Sequence, residues 1–350
     1  MLALRKIDPG YGGLAFADVP PPPSPAAGEA LLRVTAAGIC GTDLHIFEGG
    51  PFSRRMRPPT TLGHEICGVI EAVGPDVSHL SCGQRVSVES HLCCERCYAC
   101  RRGWSHVCPN TRYPGVDFDG GFASHVLLPA RIAWPVPDDI SDQDAAMMEP
   151  FGIAVHASME GTGVAGAAIL IAGCGPIGLM NIAAARALGA TTIIASDISA
   201  KRVRAAARLG ADRAVDVSKE DLARIVADLT GGRGVDVAIE YSGQPTSLRA
   251  MPALLAHGGE LRVVGVAAAE VSLAMMDLLL KGITVRNIHG RRLFSTWEQT
   301  TALLRRQRVV LDEVVSHRLP LANALDGFEA CRAGSALKVL LTPPSETPMV

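Results

Sequence analysis

The segment Ile169-Leu-Ile-Ala-Gly-Cys-Gly-Pro-Ile-Gly178 joins a short apolar run to a glycine pattern of the form G-x-G-x-x-G. The apolar run is typical of a buried strand, and residues 177–188 have the composition of a helix. In such a strand–turn–helix unit Gly173 permits the tight turn, Gly175 lets a pyrophosphate approach the backbone, and Gly178 lets the helix pack on the strand. The helix N-terminus stabilises phosphate charge, so the segment predicts a dinucleotide site.

An acidic residue follows this turn at the distance that dinucleotide sites require. Asp197 lies 19 residues after Gly178 and ends the next predicted strand, where a carboxylate binds the hydroxyls of the adenosine ribose. A carboxylate there repels the 2′-phosphate of NADP, so we expect the cofactor to be NAD. Two interpretations of Arg202 stay open: its guanidinium stacks on the adenine or attracts a phosphate, or it is a solvated charge on a helix.

Strands and helices alternate along the part of the chain that contains this turn. From about Gly166 the predicted strands cover residues 168–172, 192–196, 213–217, 235–240 and 260–266. Helical stretches separate these strands, and this alternation is typical of a parallel sheet. We therefore predict a doubly wound α/β domain in which helices cover both faces of the sheet.

The first 150 residues have a different sequence pattern. Glycine and proline separate short β-rich runs, which include residues 30–36, 68–73 and 85–88. Such runs are typical of a β-rich domain with irregular strands. After His289 the chain becomes helical and ends in a short predicted strand at residues 338–341. We therefore predict a catalytic domain over residues 1–150, completed by residues 291–350, and a dinucleotide-binding domain over residues 151–290.

The composition narrows the classes of function. Hydrophobic residues make up 48% of the chain and charged residues 19%, with a net charge of −2, which is the profile of a globular enzyme. A general nucleic-acid binder would show a clustered basic excess, so we expect no nucleic-acid partner. No apolar run reaches the ~20 residues of a membrane span, and the first residues contain no signal-peptide core. We expect a cytoplasmic protein without a membrane partner.

Half of the cysteines lie close together in the sequence. Five of the ten fall between Cys93 and Cys108, and four of them form a C-x2-C-x2-C-x7-C pattern. The ligands that this pattern predicts are Cys94, Cys97, Cys100 and Cys108. Four thiolates at this spacing close a tetrahedral zinc site, which has no open position and is therefore structural. Disulfides are disfavoured in cytoplasm, a redox pair needs only two cysteines, and a register that starts at Cys93 is the less regular one.

A second set of metal-ligating residue types lies in two short segments. The segments are Gly38-Ile-Cys40-Gly-Thr42-Asp-Leu-His45 and Gly63-His64-Glu65. Cys40 and His64 supply one soft and one borderline ligand, and a carboxylate or water would complete an open zinc site. An open coordination position is what a catalytic zinc requires, so we predict a catalytic metal here.

In this order the motifs resemble those of the zinc-containing medium-chain dehydrogenases, and the resemblance covers essentially the whole chain. Further segments that support it are Glu149-Pro-Phe-Gly-Ile-Ala-Val-His156, Gly290-Arg-Arg-Leu-Phe-Ser-Thr-Trp297, Val314-Val-Ser-His317 and residues 334–341. The resemblance implies a Rossmann domain combined with a β-rich, GroES-like catalytic domain. It also implies two zinc ions per chain, NAD as cofactor and a homotetramer.

The resemblance assigns roles to individual residues. The implied ligands of the catalytic zinc are Cys40, His64 and Glu65. The implied proton relay is Thr42 and His45. Glu149 resembles a catalytic acidic residue near the metal, which supports catalysis without necessarily ligating the ion, and His91 resembles a pocket residue that influences specificity. Whether Glu65 or Glu149 ligates the zinc at rest stays open. The implied NAD contacts are Ile177, Asp197, Arg202, Val264, Gly265, Val266, Ile288 and His289.

The activity implied by the resemblance is a zinc-dependent, NAD-linked oxidation of a secondary alcohol. The expected substrate is L-threonine, which would yield 2-amino-3-oxobutanoate. Polyols, vicinal diols and secondary-metabolite alcohols are alternatives within the same chemistry. A different class of function is a zinc- and nucleotide-binding protein without turnover.

Overall fold

The computed structural model describes residues 1–267, 269–305 and 308–344. The chain forms two compact units, one built from Met1–Glu149 and the C-terminal part that begins at Val315, and the other from Pro150–Leu303. The sequence prediction placed residues 291–350 with the first unit, whereas the structure groups residues 291–303 with the second. Residues 291–303 stay in the second unit because Arg291 is fully buried there, against Gly152.

The bounds of the strands, in chain order, are β1 (Leu2–Lys6), β2 (Leu14–Asp18), β3 (Glu29–Ile39), β4 (Thr60–Thr61), β5 (Glu65–Val73), β6 (Arg85–Val88), β7 (His125–Pro129), β8 (Ala133–Pro135), β9 (Ala168–Ala172), β10 (Thr192–Asp197), β11 (Arg213–Asp216), β12 (Val235–Glu240), β13 (Leu255–Val263), β14 (Thr284–Asn287), β15 (Val315–Pro320) and β16 (Lys338–Thr342). The bounds of the α-helices are α1 (Gly41–Phe47), α2 (Pro51–Arg55), α3 (Tyr98–Arg101), α4 (Asp142–Met159), α5 (Pro176–Ala187), α6 (Ala200–Arg208), α7 (Leu222–Thr230), α8 (Pro245–Leu254), α9 (Met275–Lys281), α10 (Ser295–Leu304) and α11 (Ala324–Arg332).

The first unit is built on a mixed sheet. Its strand order is β15-β16-β3-β5-β6-β8, with β7 also paired to β3, and a smaller sheet has the order β2-β1-β4. Buried and partly exposed residues alternate along most of β3, so one face of this strand packs into the core. The antiparallel register places Gly38 opposite Glu65 and Ile39 opposite Val339. The ends of β3, β5 and β16 therefore meet at one place in this unit.

The second unit is built on a parallel sheet of order β11-β10-β9-β12-β13-β14. All five residues of β9 are buried, as expected for a central strand that helices cover on both faces. The strand order reverses at β9, between β10 and β12, and ligands of such sheets bind at this switch point outside the carboxyl ends of the strands. The predicted fold class, a doubly wound domain with a β-rich partner domain, is confirmed.

Helix α4 and strand β13 show two ways in which the structure differs from the sequence predictions. The long helix α4 is not predicted, because it is apolar nearly all round and contains Pro150, so it has no amphipathic period. Strand β13 ends at Val263, whereas the predicted strand continued to residue 266. The chain turns after Val263 because the backbone N–H groups of Val264 and Gly265 both donate to the Glu240 carbonyl at 2.9 Å. Among the described residues, no helix is long and apolar enough to cross a membrane.

Candidate active site and metal centres

Three side chains of the first unit converge where β3, β5 and α1 meet. Cys40 is the N-cap of α1, directly after β3, and His64 and Glu65 lie at the start of β5. One ligand atom from each of Cys40, His64 and Glu65 lies within 4.8 Å of the others. His64 and Glu65 are buried, and Cys40 is partly exposed. A thiolate, an imidazole and a carboxylate so close together fit a three-ligand zinc site with a fourth position open.

The backbone of β3 makes room for the Glu65 carboxylate. A Cβ atom on Gly38 would lie 2.0 Å from Glu65 Oε2, so only glycine leaves this space free. The Lys338 ammonium is in contact with Glu65 Oε2 and donates to the Ile39 carbonyl at 2.9 Å. Burial raises the pKa of Glu65 and by itself would lower that of Lys338, but the charges of Glu65 and Cys40 raise the pKa of Lys338. The pair therefore places an ammonium beside the carboxylate of the candidate metal centre.

A buried carboxylate lies next to His64. Asp43 is fully buried, and its Oδ2 accepts a hydrogen bond from the Cys40 backbone N–H at 2.9 Å. Its Oδ1 lies 3.7 Å from His64 Nδ1. Burial lowers the pKa of His64, but the charges of Asp43 and Cys40 outweigh it and raise the pKa to about 10 in the absence of a metal. Asp43 at Nδ1 leaves Nε2 as the ring nitrogen that can ligate a metal.

The predicted relay residues lie one turn apart on α1. Thr42 and His45 have a spacing of three residues, which places neighbouring side chains on one face of a helix. The side chain of His45 is 66% exposed, and its Nδ1 lies 3.8 Å from Glu48 Oε2. Thr42 is only partly exposed. This pair can pass a proton from a half-buried hydroxyl to an imidazole that reaches solvent.

The predicted pocket residues belong to a buried hydrogen-bonded network in the first unit. Ser90 Oγ donates to Glu149 Oε1 at 2.6 Å, and His91 Nδ1 lies 2.8 Å from Glu89 Oε1. The His91 and Tyr113 rings pack in a T-shaped arrangement, with 5.2 Å between ring centroids. Glu89 thus orients His91, and Ser90 holds the carboxylate of Glu149.

The four cysteines of the second motif form a compact cluster. One ligand atom from each lies within 4.8 Å of the others, and the residues concerned are Cys94, Cys97, Cys100 and Cys108. Three of the Sγ–Sγ distances are 3.5, 3.7 and 3.5 Å. Zinc–sulfur bonds of ~2.3 Å in a tetrahedron require sulfurs ~3.8 Å apart, so the spacing fits one zinc ion.

Neighbouring N–H groups favour the thiolate forms in this cluster. Asn110 donates to Cys108 Sγ through its backbone N–H at 3.4 Å and to Cys94 Sγ through its side chain at 3.6 Å. The backbone N–H of Arg96 is the largest cause that lowers the pKa of Cys94 to about 6, and Asn110 is the next. Cys93 stays outside the cluster, and burial raises the pKa of its thiol.

The glycine turn of the second unit has the geometry of a phosphate-binding loop. Gly173 has φ +93°, and a Cβ there would lie 2.8 Å from the Ser242 nitrogen. A Cβ on Gly178 would lie 2.0 Å from the Gly173 carbonyl oxygen, so α5 packs closely on the turn. A Cβ on Gly175 would meet nothing within 4 Å. The turn is therefore closed against the protein and open at Gly175, where a pyrophosphate requires space.

Asp197 is held rigidly at the end of β10. Its Oδ2 accepts from the Cys174 backbone N–H and its Oδ1 from the Ser199 backbone N–H, both at 2.8 Å. Each oxygen keeps a lone pair for a ribose hydroxyl. Arg202 Nη1 lies 3.7 Å from Asp197 Oδ2, so the guanidinium faces this carboxylate in the structure.

Of the remaining predicted NAD contacts, Ile177 lies in the first turn of α5, and the others lie at the carboxyl ends of β13 and β14. Ile288 donates its backbone N–H to the Val263 carbonyl at 2.8 Å, whereas Val266 and His289 are exposed. Glu240 accepts hydrogen bonds from the Ser242 and Gly243 backbone N–H groups at 3.0 and 2.9 Å. The buried carboxylate of Glu240 therefore stabilises the loop after β12, which lies at the same edge of the sheet.

Comparison with known proteins agrees with both units. Residues 26–138 match the alcohol dehydrogenase GroES-like domain, and residues 176–306 match the zinc-binding dehydrogenase domain. The chain is 40% identical over 347 residues, 98% of each chain, to L-threonine 3-dehydrogenase of Thermococcus kodakarensis. The chain belongs to the zinc-containing alcohol dehydrogenase family.

Solved structures of this dehydrogenase family have the same architecture. The alcohol dehydrogenase from Thermus sp. ATN1 matches with a TM-score of 0.90 and 30% identity, covering 98% of this chain and all of the other. The 2R,3R-butanediol dehydrogenase from Bacillus subtilis matches with a TM-score of 0.88 and 29% identity, covering 98% and 99%. The predicted family and reaction class are confirmed by these matches.

Several residues of this dehydrogenase site were not among the sequence predictions. They are Asp43, Glu89, Ser90, Lys338 and Glu240. Asp43 carries a sequence signal, because it follows Cys40 by three residues in the same motif and lies in the first turn of α1. Glu89 and Glu240 contact residues two or three positions further along the chain. Ser90 and Lys338 act through contacts with distant segments, which no spacing in the sequence indicates.

Proposed function

We propose that this chain is an L-threonine 3-dehydrogenase, which oxidises the β-hydroxyl of L-threonine to give 2-amino-3-oxobutanoate with NAD as hydride acceptor. The observation that carries the proposal is the cluster of Cys40, His64 and Glu65, in a chain 40% identical to an L-threonine 3-dehydrogenase over nearly its whole length. The proposed role in the cell is threonine catabolism in the cytoplasm, where the thiolates of both clusters stay reduced.

The residues present fit two zinc ions per chain. Cys40, His64 and Glu65 would hold the catalytic ion, and the four-cysteine cluster would hold the structural one. A bound catalytic zinc supplies Lewis-acid polarisation of the substrate hydroxyl, and NAD supplies the hydride acceptor. Glu149 supports the site as a second carboxylate, which Ser90 holds in place.

The protein's own groups move the proton. Thr42 accepts the hydroxyl proton of the substrate and donates its own to His45, which releases it to solvent from its exposed position on α1. His91, oriented by Glu89, forms part of the pocket wall that positions the substrate. Holding the substrate in one orientation is what places its β-hydrogen for transfer.

The proposed cofactor is NAD rather than NADP. Asp197, fixed by two backbone N–H groups, would bind the ribose hydroxyls and repel a 2′-phosphate.

The proposed assembly is a homotetramer. Strand β14 is an edge of the parallel sheet, and α9 exposes Met275, Met276, Leu279 and Leu280. An edge strand beside an exposed apolar helix is suited to pairing with a second copy. Light scattering of wild type and L279E tests this assembly.

Steady-state kinetics tests the substrate assignment. The comparison is kcat/KM for L-threonine, L-serine, 3-hydroxybutyrate and 2,3-butanediol. A site that binds the ammonium group rejects its absence by up to ~10⁴, whereas one methyl group is worth ~1–3 kcal/mol, so L-serine should lose less than 3-hydroxybutyrate.

The structural similarity to a butanediol dehydrogenase favours a vicinal diol as the second candidate. Butanediol turnover equal to or above that of L-threonine would establish the diol instead. Binding of NAD without hydride transfer from any alcohol would establish a binding protein without turnover.

A further inference from the structure

Two segments of the second unit are joined to each other at three points. One is the C-terminal half of α4 with the residue after it, and the other is the loop that follows β14, residues 288–292. Gly152 lies against the buried Arg291, where a Cβ would come within 2.5 Å of Arg291 Cδ. His156 Nδ1 lies 2.9 Å from the Gly290 carbonyl oxygen, and Glu160 pairs with Arg292.

The central contact is a buried hydrogen bond. The Gly290 carbonyl can only accept, so the His156 ring carries a proton on Nδ1 and donates it. His156 is 4% exposed, so water does not replace this bond when it is lost. On the other side of the ring, Nε2 lies 3.3 Å from Glu160 Oε2. Glu160 in turn accepts two hydrogen bonds of 2.9 Å from Arg292 Nε and Nη2.

The loop between these contacts carries residues of the cofactor site. At one end, the Ile288 N–H donates to the Val263 carbonyl of β13. At the other end, the Gly290 carbonyl is bound by His156. His289 lies between the two fixed points and is exposed at the carboxyl edge of the sheet. The backbone conformation at Ile288 and His289 therefore depends on both hydrogen bonds.

We propose that His156 is a positioning residue for the cofactor: its Nδ1–H bond to the Gly290 carbonyl holds the Ile288–His289 backbone in the conformation that binds NAD. This rests on the proposed function only in taking Ile288 and His289 as cofactor contacts. His156 acts through Gly290 and needs no contact with the cofactor or the substrate.

Two substitutions of His156 distinguish the hydrogen bond at Nδ1 from the contact at Nε2. In H156N the amide nitrogen is close to the position of Nδ1 and still donates to the Gly290 carbonyl. In H156Q the longer side chain places its amide near Nε2, which keeps a partner for Glu160 and loses the Gly290 bond. Glutamine has the higher helix propensity, so a purely structural role within α4 would make H156Q the better-tolerated variant. The positioning role predicts the opposite order.

The experiment measures the dissociation constant of NADH by fluorescence, together with KM for NAD, KM for the alcohol substrate and the melting temperature. Loss of one buried hydrogen bond weakens binding by about tenfold. We expect H156Q to bind NADH about tenfold more weakly and to raise KM for NAD similarly, with KM for the alcohol little changed. We expect H156N to stay within about threefold of wild type, by the same hydrogen-bond argument.

Wild-type NADH affinity in H156Q, or equal losses in the two variants, would overturn the proposal. If H156Q gives no folded protein, H156N decides alone, because a tenfold loss of NADH affinity in H156N also overturns it. NADH binding needs no alcohol substrate. Failure of L-threonine turnover with normal NADH binding therefore counts against the proposed function and leaves the role of His156 standing.

Discussion

The Lys338 ammonium lies against Glu65 Oε2 with both side chains at most 2% exposed. Glu65 is a proposed ligand of the catalytic zinc, and Lys338 begins the last strand of the same sheet. The ammonium compensates the charge of this buried carboxylate, and it also donates to the Ile39 carbonyl at 2.9 Å. Lys338 therefore links the C-terminal strand to the charge balance of the candidate metal centre.

Replacing Lys338 alone should destabilise the protein. K338M leaves the Glu65 carboxylate buried without its partner, and breaking such a pair costs about 3–5 kcal/mol. Urea unfolding measures this loss. The double variant K338M/E65L removes both charges and should recover much of the stability while staying inactive. Equal destabilisation in the single and double variants would show that the pair is not the cause.

Gly38→Ala should damage activity through Glu65. The new Cβ would lie 2.0 Å from Glu65 Oε2, so the carboxylate must move away from its position in the candidate metal centre. We expect kcat/KM to fall by at least about 10²-fold, as misplacement by ~1 Å can do. Gly41→Ala is the matched control, because a Cβ there meets nothing within 4 Å. Metal analysis of both variants shows whether zinc is lost along with activity.

The two metal centres should respond differently to cysteine substitution. Cys40→Ser should abolish turnover and leave the fold with one zinc, because the four-cysteine cluster does not include Cys40. Cys100→Ser should lower the melting temperature first, because a closed four-thiolate site contributes folding free energy. Cys93→Ser serves as the control and should keep both ions, since Cys93 lies outside the cluster. Metal content is measured by mass spectrometry, and one zinc in fully active wild type would contradict this assignment.

Asp197→Ala should reduce the preference for NAD. The substitution removes the repulsion of a 2′-phosphate, so the ratio of kcat/KM for NAD to that for NADP should fall. It also removes the acceptor of the Cys174 N–H in the glycine turn, so binding of both cofactors should weaken. Arg202→Ala tests whether the neighbouring guanidinium contributes. Equal use of NADP and NAD by the wild type would refute the role of Asp197.

The stability that His156 confers should depend on pH. Burial lowers the pKa of His156 below its value of 6.5 in the unfolded chain, despite the Gly290 carbonyl and Glu160, which raise it. The unfolded state therefore binds more protons than the folded state in this window, and stability falls as the pH drops below about 6.5. Asparagine does not titrate, so the stability of H156N relative to wild type should improve from pH 7.5 to 5.5. Urea unfolding at both pH values measures this, and a constant difference would contradict it.

The two metal centres and the glycine turn could be predicted for different reasons. The four cysteines lie within one short loop, so their spacing alone limits where the sulfurs can go. Gly173, Gly175 and Gly178 likewise act within one strand–turn–helix unit. The catalytic set is less local, because His64 and Glu65 reach Cys40 only through the pairing of β3 with β5. Their prediction rested on resemblance to a family rather than on spacing.

Helix α4 and the grouping of residues 291–303 depend on tertiary contacts rather than on local sequence patterns. Helix α4 was not predicted because it is buried on nearly all sides. Its sequence therefore lacks the periodic pattern of apolar residues that indicates an amphipathic helix. The structure groups residues 291–303 with the second unit, and nothing in their composition indicates that Arg291 is buried against Gly152.

By itself the sequence determined the family, the parallel-sheet domain and the residues able to ligate metal or approach a pyrophosphate, because these depend on short segments whose covalent connections restrict their geometry. Only the tertiary structure decided which charges balance the candidate metal ligands and what holds the cofactor loop. Lys338 meets Glu65 because β16 and β5 both pair with β3. His156 meets Gly290 because α4 packs on the loop after β14. Contacts between segments so far apart arise from the packing of the whole chain, which no local pattern encodes.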